Sequence, residues 1–297
     1  MAKKKKKENK LLRILLIIIT ICYGLYISKI EETYSLNPNE TTKNLTVTYL
    51  DVGQADSILI ENDNEYMLID AGNNDDGPLL VKYFKEKNIT TFKYLIGTHP
   101  HEDHIGGLDD IINNFNINTI YMPDAITTTK TFLDVLDAIE NNNLTYKVPK
   151  IEETFTLGEA TLEVLYTGVD TKDLNNTSIV LRLDYKNTSF LFTGDATDIT
   201  EKILLKKKQN LKVDVLKVGH HGSKYSTTTD FLNATNPKYA IISVGKNNTY
   251  NHPDTKTINK LNKYNIETHR TDKEGTIIIT SDGNNIKIKN INTNTNG

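Results

Sequence analysis

Between residues 45 and 290 the sequence alternates, without an obvious break, between short strand-like segments and helix-like segments. Leu45 to Leu50 and Ser57 to Glu61 have the β-branched, aromatic and alternating character of strands. Helical patterns follow at intervals, for example at Leu79 to Lys87 and at 254–264. Many strands in mixed order with interspersed helices predict one layered sheet-plus-helix domain, and a chain of 297 residues is long enough to bury its core.

The first thirty residues differ from this body in charge and hydropathy. Residues 1–30 carry eight Lys or Arg against one Glu, whereas residues 31–297 carry a net charge of −10. A basic segment at 1–10 precedes an apolar stretch at 11–30 that has the ~20-residue length of a bilayer-spanning helix. We therefore expect an uncleaved signal anchor, which makes a single-pass protein of the cell membrane with its domain extracellular. Secretion after signal cleavage is the alternative.

Composition sets the remaining boundaries. Residues 31–44 are polar and predict a linker, residues 45–290 predict one domain, and residues 291–297 predict a disordered tail. The sequence has one cysteine, Cys22, which lies in the apolar stretch. Any metal ion bound by the domain must therefore be held by histidine and carboxylate.

Five of the seven histidines form two clusters, and each cluster begins where an apolar strand ends. In an extended chain residues two apart point the same way, so the side chains of His99, His101 and Asp103 can converge. His104 joins them as the chain turns into a helix. Four nitrogen and oxygen donors within six residues suit Zn²⁺, Mn²⁺ or Fe²⁺. The first cluster therefore predicts a metal centre rather than a solvated polar loop.

The run His-x-His-x-Asp-His after a strand resembles the signature of the metallo-β-lactamase superfamily, and so do Leu68 to Gly72 and Phe192 to Asp195. Other segments resemble the external domain of ComEC-type competence proteins and their free-standing relatives: Leu50 to Ser57, Asn175 to Ser178, Lys217 to Ser223, Ser243 to Gly245, Tyr250 to Pro253 and Arg270 to Asp272. The resemblance covers about residues 45–282. It implies an α/β fold, an αββα four-layer sandwich with a metal cleft along one edge, here preceded by the N-terminal transmembrane helix.

The resemblance also implies the ligands of one or two divalent ions, Zn or Mn. His99 and His101 would hold a first ion, Asp103 and His104 a second, and Asp195 would lie between them. Asp103 would for this reason also be essential for catalysis. Residues 105–194 contain no histidine, so the first ion would have two histidines and the bridging carboxylate as its protein ligands.

The second cluster, His220 and His221, leaves an ambiguity. Adjacent side chains of an extended chain point to opposite sides, so only one of the two is an easy ligand. His221 is assigned to the second ion, and His220 to the substrate as a general acid or as a donor to a phosphate oxygen. The reverse assignment stays open. His252, in a turn before a helix, is expected at the rim of the cleft, against the equal alternative of a loop residue at a helix start.

A metal-activated hydroxide, with no thiol in the domain and no nucleotide-binding glycine fingerprint, indicates hydrolysis. The first hypothesis is a membrane-anchored extracellular phosphodiesterase or nuclease. A small phosphocholine-type diester is the alternative substrate, and a non-catalytic metal-binding surface module is the second class of function. The acidic body disfavours a polyanion such as DNA unless lysines gather at the cleft; the candidates are Lys212, Lys217, Lys224, Lys246 and Lys256. The sequence carries no signal for the oligomeric state.

Overall fold

The computed structural model describes residues 44–168 and 173–291 of the chain. The basic segment predicted at 1–10, the transmembrane helix predicted at 11–30 and all of the predicted linker but its last residue lie outside the described residues, as does the predicted tail from residue 292 onward. Among the residues that are described, no helix has both the length and the apolar character needed to cross a bilayer.

Two sheets contain the fifteen strands of the described ranges. The strands are β1 (Leu45–Tyr49), β2 (Ser57–Asn62), β3 (Glu65–Ala71), β4 (Thr91–Ile96), β5 (Asn116–Tyr121), β6 (Tyr146–Lys147), β7 (Thr154–Leu157), β8 (Ala160–Tyr166), β9 (Val180–Tyr185), β10 (Thr188–Phe192), β11 (Val215–Lys217), β12 (Tyr239–Ile242), β13 (Glu267–Arg270), β14 (Thr276–Ser281) and β15 (Ile286–Ile291). The first sheet has the order β15-β14-β1-β2-β3-β4-β5-β6, and the second has the order β13-β12-β11-β10-β9-β8-β7.

Helices cover the outer face of each sheet. They are α1 (Gly77–Glu86), α2 (Glu102–Ile105), α3 (Leu108–Asn114), α4 (Lys130–Asn141), α5 (Asp198–Lys207), α6 (Thr229–Thr235), α7 (Thr255–Lys263) and α8 (Thr271–Glu274). Threonine or aspartate side chains cap several of them, as when Thr129 accepts a hydrogen bond from the backbone N–H of Phe132 at the start of α4.

In the described part of the chain, three apolar clusters lie between these layers. Side chains from the facing surfaces of both sheets, such as Val47 and Phe190, form the central cluster. A second cluster joins the first sheet to α1–α4 through residues such as Phe84, and a third joins the second sheet to α5–α7 through residues such as Leu261. The order of layers is therefore helix, sheet, sheet, helix, which confirms the predicted two-sheet α/β sandwich.

Strand β2 shows why the sequence folds in this way. Its side chains alternate between the two faces of the sheet, with Ile58 and Ile60 in the central cluster and Leu59 in the cluster under the helices. Both faces are covered, so the strand is apolar at successive positions instead of alternating with polar residues.

The parallel strands of each sheet direct the chain to one edge. Strands β3 to β6 are parallel in the first sheet, and β10 to β13 are parallel in the second. His99 is the third residue after β4, Asp195 is the third after β10, and His220 is the third after β11. Open α/β sheets bind ligands beyond the carboxyl ends of their strands, and here both sheets present polar side chains at that position.

Candidate metal centre

Three loops, one from the first sheet and two from the second, form the site. In the loop after β4, His99 is fully buried and its Nε2 lies 3.0 Å from Nδ1 of the half-buried His101. Asp103 and His104 follow in the first turn of α2, where His104 is also fully buried. The structure thus brings together the four donors that the spacing predicted, through a bend at His99 and Pro100, an extended His101 and the helix that follows.

Asp195 lies at the centre of the site, 2% exposed, with histidines on both of its carboxylate oxygens. Its Oδ1 is 3.2 Å from Nε2 of His104 and 3.6 Å from Nε2 of His221. Its Oδ2 is 4.0 Å from Nε2 of His99 and 3.6 Å from Nε2 of His220. One carboxylate therefore faces two sets of imidazoles.

The donors on the Oδ1 side fit a divalent cation. Asp103, His104, Asp195 and His221 each offer a ligand atom, and these atoms all lie within 4.8 Å of one another. His104 Nε2 and Asp195 Oδ1 are buried and make no hydrogen bond. Buried polar atoms without partners are costly, and a cation among them would satisfy both.

The charges of the site point the same way. Burial alone would raise the pKa of Asp195, but the imidazoles of His104 and His221 outweigh burial and lower that pKa well below its usual range. Burial would lower the pKa of His104, but the carboxylates of Asp195, Asp70 and Asp103 outweigh it and raise that pKa well above its usual range. The carboxylates around His104 therefore stabilise a positive charge there. A bound cation would provide that charge in place of a proton on the imidazole.

Asp70, the last residue but one of β3, supports the first loop from behind. Its Oδ1 accepts the backbone N–H of Thr98 at 2.8 Å, and its Oδ2 lies 2.7 Å from both Thr98 Oγ1 and His104 Nδ1. The contact to Nδ1 orients the ring so that Nε2 faces Asp195. A carboxylate behind a histidine is a common support of metal ligands in proteins.

A second buried support lies behind His221. The Nδ1 of His221 donates to the backbone oxygen of Ser243 at 3.0 Å and is 3.5 Å from Asp56 Oδ1. Lys217 is fully buried, and its Nζ is 2.8 Å from Asp56 Oδ2. Sequence reasoning missed this pair. The signal was a lysine in an otherwise apolar strand that ends at the histidines.

Lys217 therefore does not line the cleft. The prediction that it is one of the lysines that gather at the cleft was wrong. Lys212 precedes β11, at the end of the strand opposite to the histidines. Lys224, Lys246 and Lys256 are exposed. Of the described residues that line the cleft, none is a lysine.

The backbone at the histidine pair also differs from the expectation. His220 has φ 51° and ψ 50°, and His221 has φ 50° and ψ 25°, so both residues are left-handed rather than extended. A non-glycine residue rarely adopts this conformation, and two in succession are rarer still. The expectation that the two rings point to opposite sides was wrong, because both rings approach Asp195.

An open cleft of about 380 Å³ lies over the site. Its lining comprises Gln54, His101, Glu102, Asp103, Asn175, Asp195, His220, His221, Tyr250 and His252. The structure thus places His252 at the rim, as one of the two predictions had it, with its ring 5.5 Å from that of His220 and 5.9 Å from that of Tyr250. Tyr250, 67% exposed, is a wall residue that sequence reasoning did not single out.

The segment Asn175 to Ser178 holds Asp195 in place. Ser178 Oγ accepts the backbone N–H of Asp195 at 3.1 Å, and Asn176 Oδ1 accepts hydrogen bonds from Thr197 and Thr200. Asn175 reaches the cleft wall beside them.

A two-sheet sandwich with histidines and aspartates at the carboxyl edge of its parallel strands is the architecture of a metal-dependent hydrolase fold. Residues 50–246 match the model of the metallo-β-lactamase superfamily. The chain belongs to this superfamily, in agreement with its two-sheet sandwich and its histidine loop.

Relatives among characterised sequences confirm the ComEC-type branch. The chain is 31% identical over 250 residues to ComE operon protein 3 of Bacillus subtilis, a match that covers 78% of this chain and 32% of that protein. It is 28% identical over 256 residues to competence protein ComA of Neisseria gonorrhoeae, which covers 82% of this chain and 33% of that protein. The chain thus spans about a third of the length of these relatives.

Solved structures agree on the fold. The metallo-β-lactamase fold protein YhfI from Bacillus subtilis superimposes with a TM-score of 0.53 at 13% identity, covering 81% of this chain and 100% of that one. Igni18, a metallo hydrolase from Ignicoccus hospitalis, has a TM-score of 0.53 at 13% identity and covers 79% of this chain and 98% of that one.

Proposed function

We propose that this chain is a membrane-anchored, extracellular phosphodiesterase that requires two divalent cations, Zn²⁺ or Mn²⁺, and cleaves nucleic acid. The observation that carries the proposal is the position of Asp195, whose two oxygens each face a pair of histidine Nε2 atoms at 3.2 to 4.0 Å. A carboxylate between two sets of imidazoles is suited to bridge two cations.

The donor set fits such cations, since neutral imidazoles and carboxylates are the ligands that Zn²⁺ and Mn²⁺ share. When bound, a pair of divalent cations lowers the pKa of water towards neutrality and offsets charge on a transferring phosphoryl group. The protein holds the ligands in fixed orientations, since Asp70 orients His104, and Ser243 and Asp56 orient His221.

The cleft wall supports an extended diester substrate. Gln54, whose Oε1 accepts the backbone N–H of Gly245, and Asn175 both line the cleft and add amide groups to its wall. At the rim the Tyr250 ring lies nearly parallel to that of His252, at an interplanar angle of 24°. An exposed aromatic face beside a phosphoryl-binding site is suited to stack a nucleobase, and such stacking contributes about 1–3 kcal/mol per base in single-strand binding proteins.

The charge of the cleft also distinguishes between the two candidate substrates. The cleft lining carries the carboxylates of Glu102, Asp103 and Asp195, so an anionic diester is attracted only once the cations are bound. DNA cleavage should then depend on metal for binding as well as for reaction. A phosphocholine-type diester carries its own positive group and would depend less on the local charge.

Membrane anchoring is supported by the apolar stretch at 11–30 after a basic segment, and by the competence-protein names of the relatives. The test is to express the full chain in bacterial cells and treat intact cells with protease. An anchored extracellular domain is released by protease while residues 1–10 stay with the membrane. A full-length, untruncated domain in the culture medium would show instead that the signal is cleaved.

The activity test uses the full chain in detergent, loaded in turn with Zn²⁺ and Mn²⁺, with single-stranded DNA, double-stranded DNA and a phosphocholine diester as substrates. We expect DNA cleavage that chelator abolishes. Cleavage of the phosphocholine ester alone would overturn the choice of substrate. Tight metal binding with no hydrolysis of any diester would favour the non-catalytic surface module.

A further inference from the structure

The two sides of Asp195 differ in how many ligands the sequence predicts for them. On the Oδ1 side, Asp103, His104 and His221 join the bridging carboxylate and make four donors. On the Oδ2 side the predicted donors are His99, His101 and the carboxylate, which make three. Protein zinc sites are usually four-coordinate, so this side has room for one further protein ligand.

His220 is the candidate for that position. Its Nε2 is 3.6 Å from Asp195 Oδ2, while the Nε2 of its neighbour His221 is 3.6 Å from Oδ1 of the same carboxylate. Two adjacent histidines thus approach opposite oxygens of one side chain. An extended backbone would turn one of the rings away, and the left-handed conformation of both residues brings the two rings to the same carboxylate.

The surrounding turn holds this unusual conformation. The backbone N–H of His220 donates to the backbone oxygen of Gly194, next to Asp195, and the backbone oxygen of His220 accepts the N–H of Ser223 at 2.8 Å. Gly222 follows with φ 83°, and a Cβ at that position would lie 2.5 Å from Cβ of Pro253. A side chain at 222 would displace the turn, so the glycine is required by the close approach of the next loop.

The nitrogens of His220 also indicate what the ring does. Its Nδ1 is buried and makes no hydrogen bond, which leaves Nε2 as the nitrogen available for chemistry. That Nε2 faces Asp195 Oδ2, on the same side as the His99 Nε2 atom. A ligand of the first cation must lie close to the bridging carboxylate oxygen, and this nitrogen lies 3.6 Å from it.

We propose that His220 is a ligand of the first cation, which it holds together with His99, His101 and Asp195 Oδ2. The first cation then has three imidazoles and one carboxylate, and the second has two imidazoles and two carboxylates. The inference rests on the two-cation centre of the proposed function but does not depend on the reaction that the centre performs.

The test measures bound metal rather than activity. The full chain in detergent is loaded with Zn²⁺, freed of excess ion by gel filtration and assayed for zinc per chain by elemental analysis. We expect two ions for the wild type and one for His220→Ala, because the ligands of the second ion remain. His220→Asp, which replaces the imidazole nitrogen with a carboxylate oxygen ligand and tolerates a left-handed backbone, should again bind two ions.

Two controls keep the result interpretable. His269→Ala makes the same change in a histidine whose ring nitrogens contact Glu274 and Glu267, outside the cleft lining, and it should bind two ions. His220→Asn, whose side chain also tolerates the left-handed backbone but is a weak metal ligand, should likewise bind one ion and should melt at the wild-type temperature when metal-free, which shows that loss of an ion is not loss of the fold.

Two ions in His220→Ala would overturn the inference, and with loss of activity they would return His220 to the role of general acid. Loss of both ions in His220→Ala, or a wild type that binds a single ion, would also overturn it. A wild-type chain that binds two ions, loses one in His220→Ala and cleaves no phosphodiester would overturn the proposed function alone and leave the ligand assignment intact.

Discussion

The loop after β4 and the turn after β11 supply histidines to the same carboxylate by opposite means. In the loop, the ligands follow a bend, an extended His101 and the start of a helix, and none of them has a left-handed backbone. In the turn, the two histidines are adjacent and converge only because both are left-handed. Spacing predicts convergence where the backbone is ordinary, and fails where contacts with the rest of the molecule impose a rare conformation.

The supports of the two regions differ as well. The loop is held by Asp70, a carboxylate that contacts a ligand directly and lies on the neighbouring strand β3. The turn is held by the buried pair of Lys217 and Asp56, which joins the two sheets, and by the backbone of Ser243. Four changes separate these contributions.

The largest effect is expected at the residue that both regions share. Asp195→Asn weakens a ligand common to both cations, and we expect phosphodiesterase activity to fall at least about 1,000-fold, since changes that only support a ligand already cost about 10- to 100-fold. Initial rates with a DNA substrate at fixed Mn²⁺ measure this. Asp124→Asn, the same change at an exposed aspartate outside the cleft lining, is the control. Comparable rates for Asp195→Asn and wild type would refute a bridging role.

The next effect falls on the turn. Lys217→Met leaves the Asp56 carboxylate buried without its lysine, and breaking a buried pair in this way costs about 3 kcal/mol or more in the free energy of unfolding. Urea unfolding of the metal-free protein measures the loss. The double variant Lys217→Met with Asp56→Asn also removes the unpaired charge of the Asp56 carboxylate, and it should recover a large part of the stability. If the double variant is as unstable as the sum of the two single variants, the pair is not coupled.

A smaller effect is expected on the loop. Asp70→Asn keeps the shape of the side chain but weakens its hold on His104 Nδ1 and on Thr98, so metal affinity should fall about 10- to 100-fold. Calorimetric titration with Zn²⁺ measures this affinity. An unchanged zinc affinity would show that the loop, unlike the turn, positions its ligands without outside support.

The smallest effect concerns the rim of the cleft beside the turn. Tyr250→Ala removes the exposed ring that lies parallel to His252, and we expect the KM for single-stranded DNA to rise about fivefold, equivalent to about 1 kcal/mol of base stacking. The value of kcat should change little, and Tyr250→Phe should behave as wild type. Tyr225→Ala, at another exposed tyrosine outside the cleft lining, is the matched control. Equal KM increases in both alanine variants would exclude a specific stacking site.

Most elements of the sandwich were predictable because their apolar patterns are strong. The strands Asn116–Tyr121 and Ile286–Ile291 were missed because asparagines lie within and beside them, and asparagine is depleted in strands. The helix Thr229–Thr235 is too short for a clear helical period. Each is an element whose stability comes from its neighbours rather than from its own composition.

Local residue order determined the chemistry of this protein. The ligand types, their position just after apolar strands and the spacing from His99 to His104 are all properties of short segments, and the resemblance to the superfamily depends on them. The tertiary structure decided which atoms meet. Asp195, His220 and His221 are distant in sequence from the first loop. The left-handed turn that places one histidine on each oxygen of Asp195 is hydrogen-bonded to Gly194 and packs against Pro253, which are contacts that local sequence does not specify.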